Sequence, residues 1–244
     1  MADWITRYLY SHRGLHDRAG RPENSHAAFA ASVDAGYGME LDVQAAADGT
    51  PMVFHDFTLD RLTTQKGRLC ERTASELGRL KIGNSGENIP RLSDTLDLVA
   101  GRAPLLIEIK APPHGRVGPL EERMADLLDT YQGPFAVQSF NPESVAWFVS
   151  NAPGFVRGQI AANFISKPDH AMSWAVRVAW SKLWSCEKSQ PHFVSYHVGA
   201  LPNPATRHVR HQRIPLLCWT VRTPQQRARA EKFADSYIFE GFLP

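Results

Sequence analysis

The chain has 244 residues, of which 43% are hydrophobic, and its formal net charge is +2 at pH 7. This length suits one large α/β domain or two small ones, with enough apolar residues for a substantial core. The near-neutral charge provides no bulk attraction to nucleic acid or to an anionic membrane surface, so we expect neither as a partner.

Cysteine usage and the N-terminus indicate the compartment. The chain has three cysteines, and they are widely spaced. This is neither a disulfide framework nor a cysteine metal site, which favours a reducing compartment. The first residues lack the apolar segment of a secretory signal, and no apolar run approaches the roughly 18 residues that span a bilayer. We therefore expect a soluble, cytoplasmic protein without stable membrane insertion.

Predicted strands alternate with predicted helices along most of the chain. The apolar runs predict strands at residues 8–10, 39–43, 52–54, 105–109, 135–138, 156–160, 193–196, 215–219 and 237–239. Capping residues and helix formers predict helices at 27–35, 94–100, 120–131 and 223–233, and another that begins at Pro142. We expect Asn24 or Ser25 to cap the first of these helices and Ser93 to cap the second.

The segment 56–91 has a different composition, because it is polar and carries scattered glycines. Only residues 74–80 look helical in it. Long segments of this kind within a compact domain are usually functional or disordered. We interpret 56–91 as an insertion after the third strand, within a single domain that covers residues 1–244.

The alternation of strands and helices implies a largely parallel sheet with covered faces. Eight such units at this length predict a (β/α)8, or TIM, barrel. An open doubly wound sheet is the alternative. That fold prefers a glycine-rich phosphate turn after its first strand, and His12-Arg13-Gly14 is not such a turn.

Residues 169–184 form a predicted amphipathic helix with three tryptophans, Trp174, Trp180 and Trp184. Its apolar residues recur at helical spacing along one face. Tryptophans of this kind also occur in helices that lie on a membrane surface. Because the segment has only two basic residues, we interpret it as a helix that covers the core.

Charged residues lie in two of the predicted strands. Glu40 and Asp42 are two residues apart, so their carboxylates share one face of a strand. Glu108 and Lys110 share a face of a later, otherwise apolar strand. Buried charges are costly unless they pair or bind a metal. Simple ion pairing, with Glu108 bound to Lys110, is the alternative to a metal site.

Two histidines and a tryptophan stand near other strand ends. His12 follows the first strand, His55 follows the third, and Trp219, a candidate substrate contact, ends the eighth. In a (β/α)8 barrel the active residues lie at the carboxyl ends of the strands. Imidazoles titrate near neutrality, so one can accept a proton while the other donates. Carboxylates flanked by two histidines predict one divalent cation, Mg²⁺, Ca²⁺ or Mn²⁺ rather than zinc, beside an acid and a base.

Seven short motifs occur along the chain in a fixed order. They read H-R-G, P-E-N-S-x-x-A-F, E-L-D-V, D-G-x-P-x-V-x-H-D-x-x-L-x-R-x-T, I-E-I-K, Q-S-F-N and W-T-V. Each is weak alone, but together they resemble the glycerophosphodiester phosphodiesterase family. The resemblance is dense from His12 to Thr63, clear at Leu106 to Lys110, and thinner from Ser139 onward.

The resemblance implies a fold, an activity and a set of site residues. The implied fold is a TIM barrel with a small inserted subdomain, and the implied substrate is a small-molecule phosphodiester. By this resemblance, the metal is bound by Glu40, Asp42 and Glu108, the acid and base are His12 and His55, and the phosphate pocket contains Arg13, Lys110 and Glu23.

The implied reaction releases glycerol 3-phosphate and an alcohol. One histidine deprotonates the glycerol 2-hydroxyl or a water, and the other protonates the leaving alcohol. We assign His55 as the base and His12 as the acid, and leave open whether a cyclic phosphate forms.

The C-terminal motifs depart from the family. Arg222 follows W-T-V where the family often has asparagine, and Phe239-Glu240-Gly241-Phe242 replaces a common Thr-Asp-x-Pro segment. These departures leave the alcohol undefined. One alternative is a phospholipase D-like enzyme that acts on lysophospholipids or sphingolipids. A non-catalytic ligand-binding barrel and a purely structural domain are others, although no histidine or carboxylate of the set is missing.

Overall fold

A computed structural model describes residues 3–17, 20–111, 116–166 and 172–244. The chain divides into two compact units. The N-terminal unit comprises Tyr10–Lys110 and Val117–Phe135, and the C-terminal unit comprises Met1–Leu9, Ala111–Arg116 and Ala136–Pro244. All but one of the predicted site residues, Trp219, belong to the N-terminal unit.

The N-terminal unit contains a four-stranded sheet. Its strands are β1 (Tyr10–His12), β2 (Gly38–Ala45), β3 (Pro51–Val53) and β4 (Leu105–Ile109). Strands β1 and β4 pair with β2 in parallel, whereas β3 returns antiparallel to β2. Its helices are α1 (His26–Asp34), α2 (Ala74–Leu77), α3 (Leu92–Val99) and α4 (Pro119–Asp129), with a 3-10 helix at Leu69–Glu71.

Helix capping explains where two of these helices begin. The Ser25 side chain accepts the Ala28 N–H and caps α1, as predicted. The predicted cap of α3 was wrong, because that helix begins at Leu92, one residue before Ser93. Leu92 is fully buried, which draws it into the first turn, and the Ser93 hydroxyl donates to Asp94 instead.

The C-terminal unit is built on a parallel ladder. The strands are β5 (Phe135–Ser139), β6 (Val156–Ala161), β7 (Phe193–His197), β8 (Leu216–Val221) and β9 (Ser236–Phe239), paired in that order from β5 to β9. The helices are α5 (Pro142–Asn151), α6 (Trp174–Ser181), α7 (Cys186–Ser189), α8 (Pro204–His211) and α9 (Pro224–Phe233), with 3-10 helices at Asp3–Thr6 and Val198–Ala200.

Helix α8 was missed from sequence, although its start carries a readable signal. Asn203 caps it and Pro204 occupies its first turn, as Asn141 and Pro142 do in α5. Asparagine followed by proline is a strong helix start, because the amide accepts a free N–H and proline has none to lose.

Eight strands pair in parallel within the two units and alternate with helices, which is the (β/α)8 pattern predicted from sequence. The extra strand β3 departs from this pattern, because the connection between β2 and β3 is too short to hold a helix. It forms a hairpin with β2 instead of a crossover.

The segment that follows β3 has a small core of its own. Apolar side chains there pack against the β2–β3 hairpin in a buried cluster of Ala46, Met52, Phe54, Leu59, Leu69, Ala74, Leu77, Ile82 and Ile89. A capping box between Thr73 and Glu76 begins α2. The segment is therefore ordered rather than a free loop, and its boundaries at 56 and 91 stay a prediction.

Helix α6 is shorter and less buried than predicted. The predicted helix began at residue 169, which lies outside the described residues together with 167, 168, 170 and 171. In the described part, Ser173 caps a helix that runs from Trp174 to Ser181. Ser181 is its buried residue, and Trp174 is 66% exposed, so the helix covers less of the core than we expected. Among the described helices, none is long and apolar enough to cross a bilayer.

Candidate active site

Strand register brings the three predicted metal ligands together in the N-terminal unit. In the β2–β4 ladder Asp42 lies opposite Glu108, and in the β1–β2 ladder His12 lies opposite Glu40. Glu40 and Asp42 share a face of β2 because side chains alternate along a strand. All three carboxylates are buried, and each offers an oxygen within 4.8 Å of the others.

The pKa values of two of these carboxyl groups are raised, which indicates that the cluster suits a cation. Burial raises the pKa of Glu40 well above its usual value, and the Asp42 and Glu108 carboxylates raise it further. Burial also raises the pKa of Glu108, against the opposing effect of Lys110. Three buried carboxylates that repel one another gain most from a hard, oxygen-binding cation, so the donor set fits a divalent metal.

Asp42 behaves differently because two cations neighbour it. Burial alone would raise its pKa, but Lys110 and Arg13 hold the pKa of Asp42 well below the usual range. The Lys110 ammonium lies 3.6 Å from Asp42 and donates to Glu108 Oε1 at 2.8 Å. The predicted Glu108–Lys110 pair therefore exists alongside the carboxylate cluster rather than in place of it.

A tight turn after β1 presents Arg13 to the same cluster. His12 is the last residue of β1, which runs two residues further than predicted, and Arg13 adopts a left-handed conformation with φ of 58°. The Arg13 backbone N–H donates to Glu40 Oε2 at 3.1 Å. Its Nε lies 3.2 Å from Asp42 Oδ2 as an ion pair whose angle does not make a hydrogen bond.

Glu23 and Asn24 hold this turn from the other side. Glu23 Oε1 accepts a 2.6 Å hydrogen bond from Arg13 Nη1. Asn24 is fully buried, and its amide donates to Asp42 Oδ2 at 2.9 Å while accepting the Asp42 backbone N–H at 3.3 Å. Asn24 thus orients the Asp42 carboxylate, and Glu23 orients the Arg13 guanidinium.

The two histidines contact carboxylates in different ways. His12 Nε2 lies 4.0 Å from Glu40 Oε2, at the edge of ion-pair distance. His55 follows β3 by two residues, and its Nδ1 lies 2.6 Å from Asp56 Oδ1. Hydrogen bonding to Arg61 lowers the pKa of Asp56 to about 2, against the effect of burial, so the carboxylate is ionised at neutral pH.

Gln44 anchors the backbone around His55. It lies on the same face of β2 as Asp42, and it is buried. Its amide nitrogen donates to the carbonyls of Phe54 and Asp56 at 2.8 and 2.7 Å. The segment that carries His55 is therefore tied to the strand that carries the carboxylates.

Trp219 lies in the C-terminal unit, within β8 rather than at its end, because that strand continues to Val221. Its indole N–H donates to the Ser195 carbonyl at 3.1 Å. Its ring makes edge contacts with Phe140 and His197, at centroid distances of 5.3 and 5.2 Å. Its predicted contact with substrate stays a prediction.

Sequence reasoning missed four residues of this network: Asn24, Gln44, Asp56 and Arg61. Asn24 was considered only as a helix cap, a role that Ser25 fills. Gln44 continues the alternation of Glu40 and Asp42, which is a usable signal. Asp56 and Arg61 belong to H-D-x-x-L-x-R and were quoted in the motif without a role.

The family comparison covers nearly the whole chain. A model of the glycerophosphoryl diester phosphodiesterase family matches residues 12–239. A glycerophosphodiester phosphodiesterase of Bacillus altitudinis is 31% identical over 171 residues, which is 66% of this chain and 69% of the relative. One of Caldanaerobacter subterraneus is 32% identical over 172 residues, 66% of this chain and 70% of the relative.

Solved structures agree on the fold. An Oleispira antarctica phosphodiesterase, solved with its product sn-glycerol-3-phosphate, superposes with a TM-score of 0.79 over 95% of this chain and 92% of its own, at 20% identity. A glycerophosphodiester phosphodiesterase of Agrobacterium tumefaciens superposes with a TM-score of 0.72 over 96% and 95%, at 24% identity. This likeness confirms the TIM-barrel fold class over the doubly wound alternative. With the family model matched over residues 12–239, the chain belongs to the glycerophosphoryl diester phosphodiesterase family.

Proposed function

We propose that this chain hydrolyses glycerophosphodiesters to glycerol 3-phosphate and an alcohol, with one divalent cation and two histidines. The observation that carries the proposal is the cluster of three buried carboxylates within 4.8 Å of one another, with His12 in register beside Glu40. Family membership supports the reaction class, and the cluster supports the proposed role of a cation in it.

Glu40, Asp42 and Glu108 would hold the cation. All-oxygen donors favour Mg²⁺ or Ca²⁺, with Mn²⁺ as a further candidate. Such an ion, when bound, supplies Lewis-acid stabilisation of the charge that develops on the phosphoryl oxygens. Burial raises the pKa of Glu40 and the neighbouring carboxylates raise it further, and a bound cation would offset the second of these effects.

His55 is the base in this proposal. The Asp56 carboxylate is ionised and has no proton to donate, so we assign the proton in the 2.6 Å contact to His55 Nδ1. That leaves His55 Nε2 to take the proton from the glycerol 2-hydroxyl or from a water. The oxygen that loses this proton forms the new bond to phosphorus.

His12 is the acid that completes the step. As the phosphorus–oxygen bond to the alcohol breaks, His12 gives its proton to the leaving oxygen. Attack by the 2-hydroxyl gives a cyclic phosphate, which water then opens, whereas attack by water gives glycerol 3-phosphate directly. A ³¹P NMR time course separates the two routes, because a cyclic phosphate has its own resonance.

Arg13 and Lys110 are the proposed phosphate contacts. Preorganised cations stabilise transition-state charge without further reorganisation. Both already lie beside Asp42, at 3.2 and 3.6 Å. Glu23 carries a negative charge that would repel a phosphodiester, so we propose that it serves the phosphate pocket through its hold on Arg13.

Trp219 is the proposed contact for the alcohol. It heads an aromatic row in the C-terminal unit that continues through Phe140 and Phe164 to Trp180, with centroid distances of 5.3, 6.0 and 6.0 Å. If the row instead contacts the glycerol side of the diester, it favours a second candidate substrate class, namely lysophospholipids, whose acyl chain suits an aromatic surface.

A substrate comparison tests the proposal. Purified protein is incubated with glycerophosphocholine and, separately, with lysophosphatidylcholine, and the phosphorus products are followed by NMR. The proposal predicts glycerol 3-phosphate from the first substrate. Choline release from the lysolipid with glycerophosphocholine left intact would replace it with the phospholipase D-like alternative.

The cytoplasmic location also stays a proposal. It rests on three cysteines that form no disulfide among the described residues. Fractionation of cells that express the tagged chain tests it, and recovery outside the cytoplasmic fraction would contradict it.

A further inference from the structure

We propose that Arg61, which lies in the segment after β3, is a positioning residue that sets His55 and Arg13 in a fixed relation to each other. The proposal deepens the function proposed above and rests on it. Arg61 makes four hydrogen bonds to two carboxylates, Asp56 and Glu23. Each carboxylate in turn contacts one of the residues to be positioned.

The first pair of hydrogen bonds from Arg61 holds Asp56, the partner of the proposed base His55. Arg61 Nε donates to Asp56 Oδ2 at 2.6 Å, and Nη2 donates to Asp56 Oδ1 at 2.9 Å. The same Oδ1 lies 2.6 Å from His55 Nδ1. With its carboxylate clamped by two bonds, Asp56 cannot rotate away from the imidazole, so the His55 ring and its tautomer are held.

The second pair of hydrogen bonds from Arg61 holds Glu23, the partner of the proposed phosphate contact Arg13. Arg61 Nη1 donates to Glu23 Oε2 at 2.7 Å, and Nη2 donates to Glu23 Oε1 at 2.9 Å. Glu23 Oε1 also accepts from Arg13 Nη1 at 2.6 Å. One guanidinium therefore joins the loop after β1 to the segment after β3, and with them the proposed base and the proposed phosphate-binding cation.

An ordinary surface ion pair is the simpler explanation, because the Arg61 side chain is 46% exposed. Exposed pairs contribute little to stability. The partners are less accessible, however: Glu23 is 13% exposed and Asp56 is 22% exposed. Gln44 also anchors the Asp56 carbonyl to β2. Arg61 thus closes a network with fixed ends rather than a pair of free side chains.

Only a planar guanidinium can serve two carboxylates in this manner. It presents its N–H groups along separate edges in a rigid fork, whereas a lysine ammonium is a point charge without that geometry. If Arg61 acts by holding the two carboxylates in position, Arg61→Lys will keep the positive charge but will not restore activity.

The kinetic test uses glycerophosphocholine with saturating Mg²⁺ or Ca²⁺. Arg61→Ala should lower kcat by roughly 10- to 100-fold, because a small misplacement of a catalytic group costs about that much, and should also raise KM. Asp56→Asn should lower kcat with KM near that of the wild type. Glu23→Gln should mainly raise KM. Of these three residues, only Arg61 contacts both Asp56 and Glu23, so only its loss should both lower kcat and raise KM.

Arg68 provides the matched control. It lies in the same segment and is exposed, and Arg68→Ala should leave kcat and KM unchanged. Arg61→Lys should resemble Arg61→Ala, and added guanidinium at low millimolar concentration should restore part of the Arg61→Ala activity. The proposal is overturned if Arg61→Ala behaves like Arg68→Ala, or if Arg61→Lys has wild-type kinetics. Should the alanine variant not fold, the lysine variant decides.

A measurement independent of activity separates this proposal from the proposed function. Long-range ¹H–¹⁵N NMR reports which ring nitrogen of His55 carries the proton. The wild type should show the Nδ1–H form, and Arg61→Lys should show a mixture of tautomers. An inactive wild type with this tautomer change refutes the proposed function and keeps the positioning role. An unchanged tautomer refutes the role.

Discussion

The two units of the molecule gather different kinds of side chain. In the N-terminal unit, Arg13, Lys110 and Asn24 surround the Asp42 carboxylate, while the histidines lie beside Glu40 and Asp56. In the C-terminal unit, the comparable cluster is aromatic and runs from Trp219 to Trp180. Charged side chains suit the transfer of a phosphoryl group, whereas aromatic side chains suit contact with an apolar group.

The family motifs follow the same division. They are dense from His12 to Thr63, a stretch that holds most of the charged cluster. They are thin after Ser139, where Arg222 and Glu240 replace common family residues and form an ion pair with each other at 2.7 Å. The following experiments change one cluster at a time.

Removal of either histidine should have the largest effect. His12→Ala and His55→Ala should each lower kcat by about 10²- to 10⁴-fold, because general acid–base catalysis contributes that range. Turnover of glycerophosphocholine measures it. His211→Ala is the control, since His211 lies exposed at the end of α8. Near-normal turnover in a folded His55→Ala variant would contradict the assigned role.

Loss of the Asn24 amide should weaken metal binding. Asn24→Gly tolerates the backbone φ of 56° at this position and removes the hydrogen bond to Asp42 Oδ2. Partners that orient metal ligands typically contribute about 10- to 100-fold in affinity or activity. Calorimetric titration with Ca²⁺ or Mn²⁺ measures this loss. An unchanged affinity would show that Asp42 needs no such support.

Changes in the aromatic row should be smaller and should appear in KM. Trp219→Ala should raise KM about 2- to 10-fold, because an aromatic contact contributes about 0.5–1.5 kcal/mol. Trp184→Ala is the matched control, since Trp184 is 66% exposed and should have no effect. A fall in kcat with KM unchanged would place Trp219 in the chemistry instead and remove the contrast between the clusters.

The smallest effect concerns stability and pH. Because the folded pKa of Glu40 is raised, its stabilising contribution in the metal-free protein is present below the unfolded pKa of about 4.3 and is lost as pH rises through the folded value. Bound metal offsets that loss. The gain in Tm on adding Mg²⁺ or Ca²⁺ should therefore grow from pH 5 to pH 8.

The expected change is a few degrees, since 1 kcal/mol shifts Tm by about 2–4 °C at this size. Asp42, whose pKa is depressed, acts in the opposite sense but only below about pH 4, outside this range. Glu40→Gln should flatten the trend. A gain that shrinks with rising pH would contradict the raised pKa of Glu40.

Sequence alone predicted most elements of the fold because their signals are local, although α8 was missed despite its Asn203-Pro204 start. Asn141 followed by Pro142 begins α5, and the alternation of Glu40 and Asp42 marks one face of β2. Helix α6 was overestimated because tryptophan spacing indicates an amphipathic helix without saying how much of it a neighbour buries. Burial depends on packing between distant segments, which periodicity does not encode.

Sequence predicted those site residues whose side-chain type alone indicates a catalytic or metal-binding role. Carboxylates in a strand predict metal binding, and histidines at strand ends predict proton transfer. Asn24 and Gln44 do not, since their roles arise from hydrogen bonds to residues 18 and 10–12 positions away. Arg61 reaches 38 residues back to Glu23, a distance that only the folded chain closes.

The most direct test of the central claim is metal-dependent release of glycerol 3-phosphate. Glycerophosphocholine would be incubated with protein stripped by EDTA, and then with Mg²⁺, Ca²⁺ or Mn²⁺ restored, beside a Glu108→Gln variant. We predict no product after EDTA, recovery with at least one of the ions, and little recovery in the variant. Full activity in EDTA, or equal recovery in Glu108→Gln, would contradict a cation held by Glu40, Asp42 and Glu108.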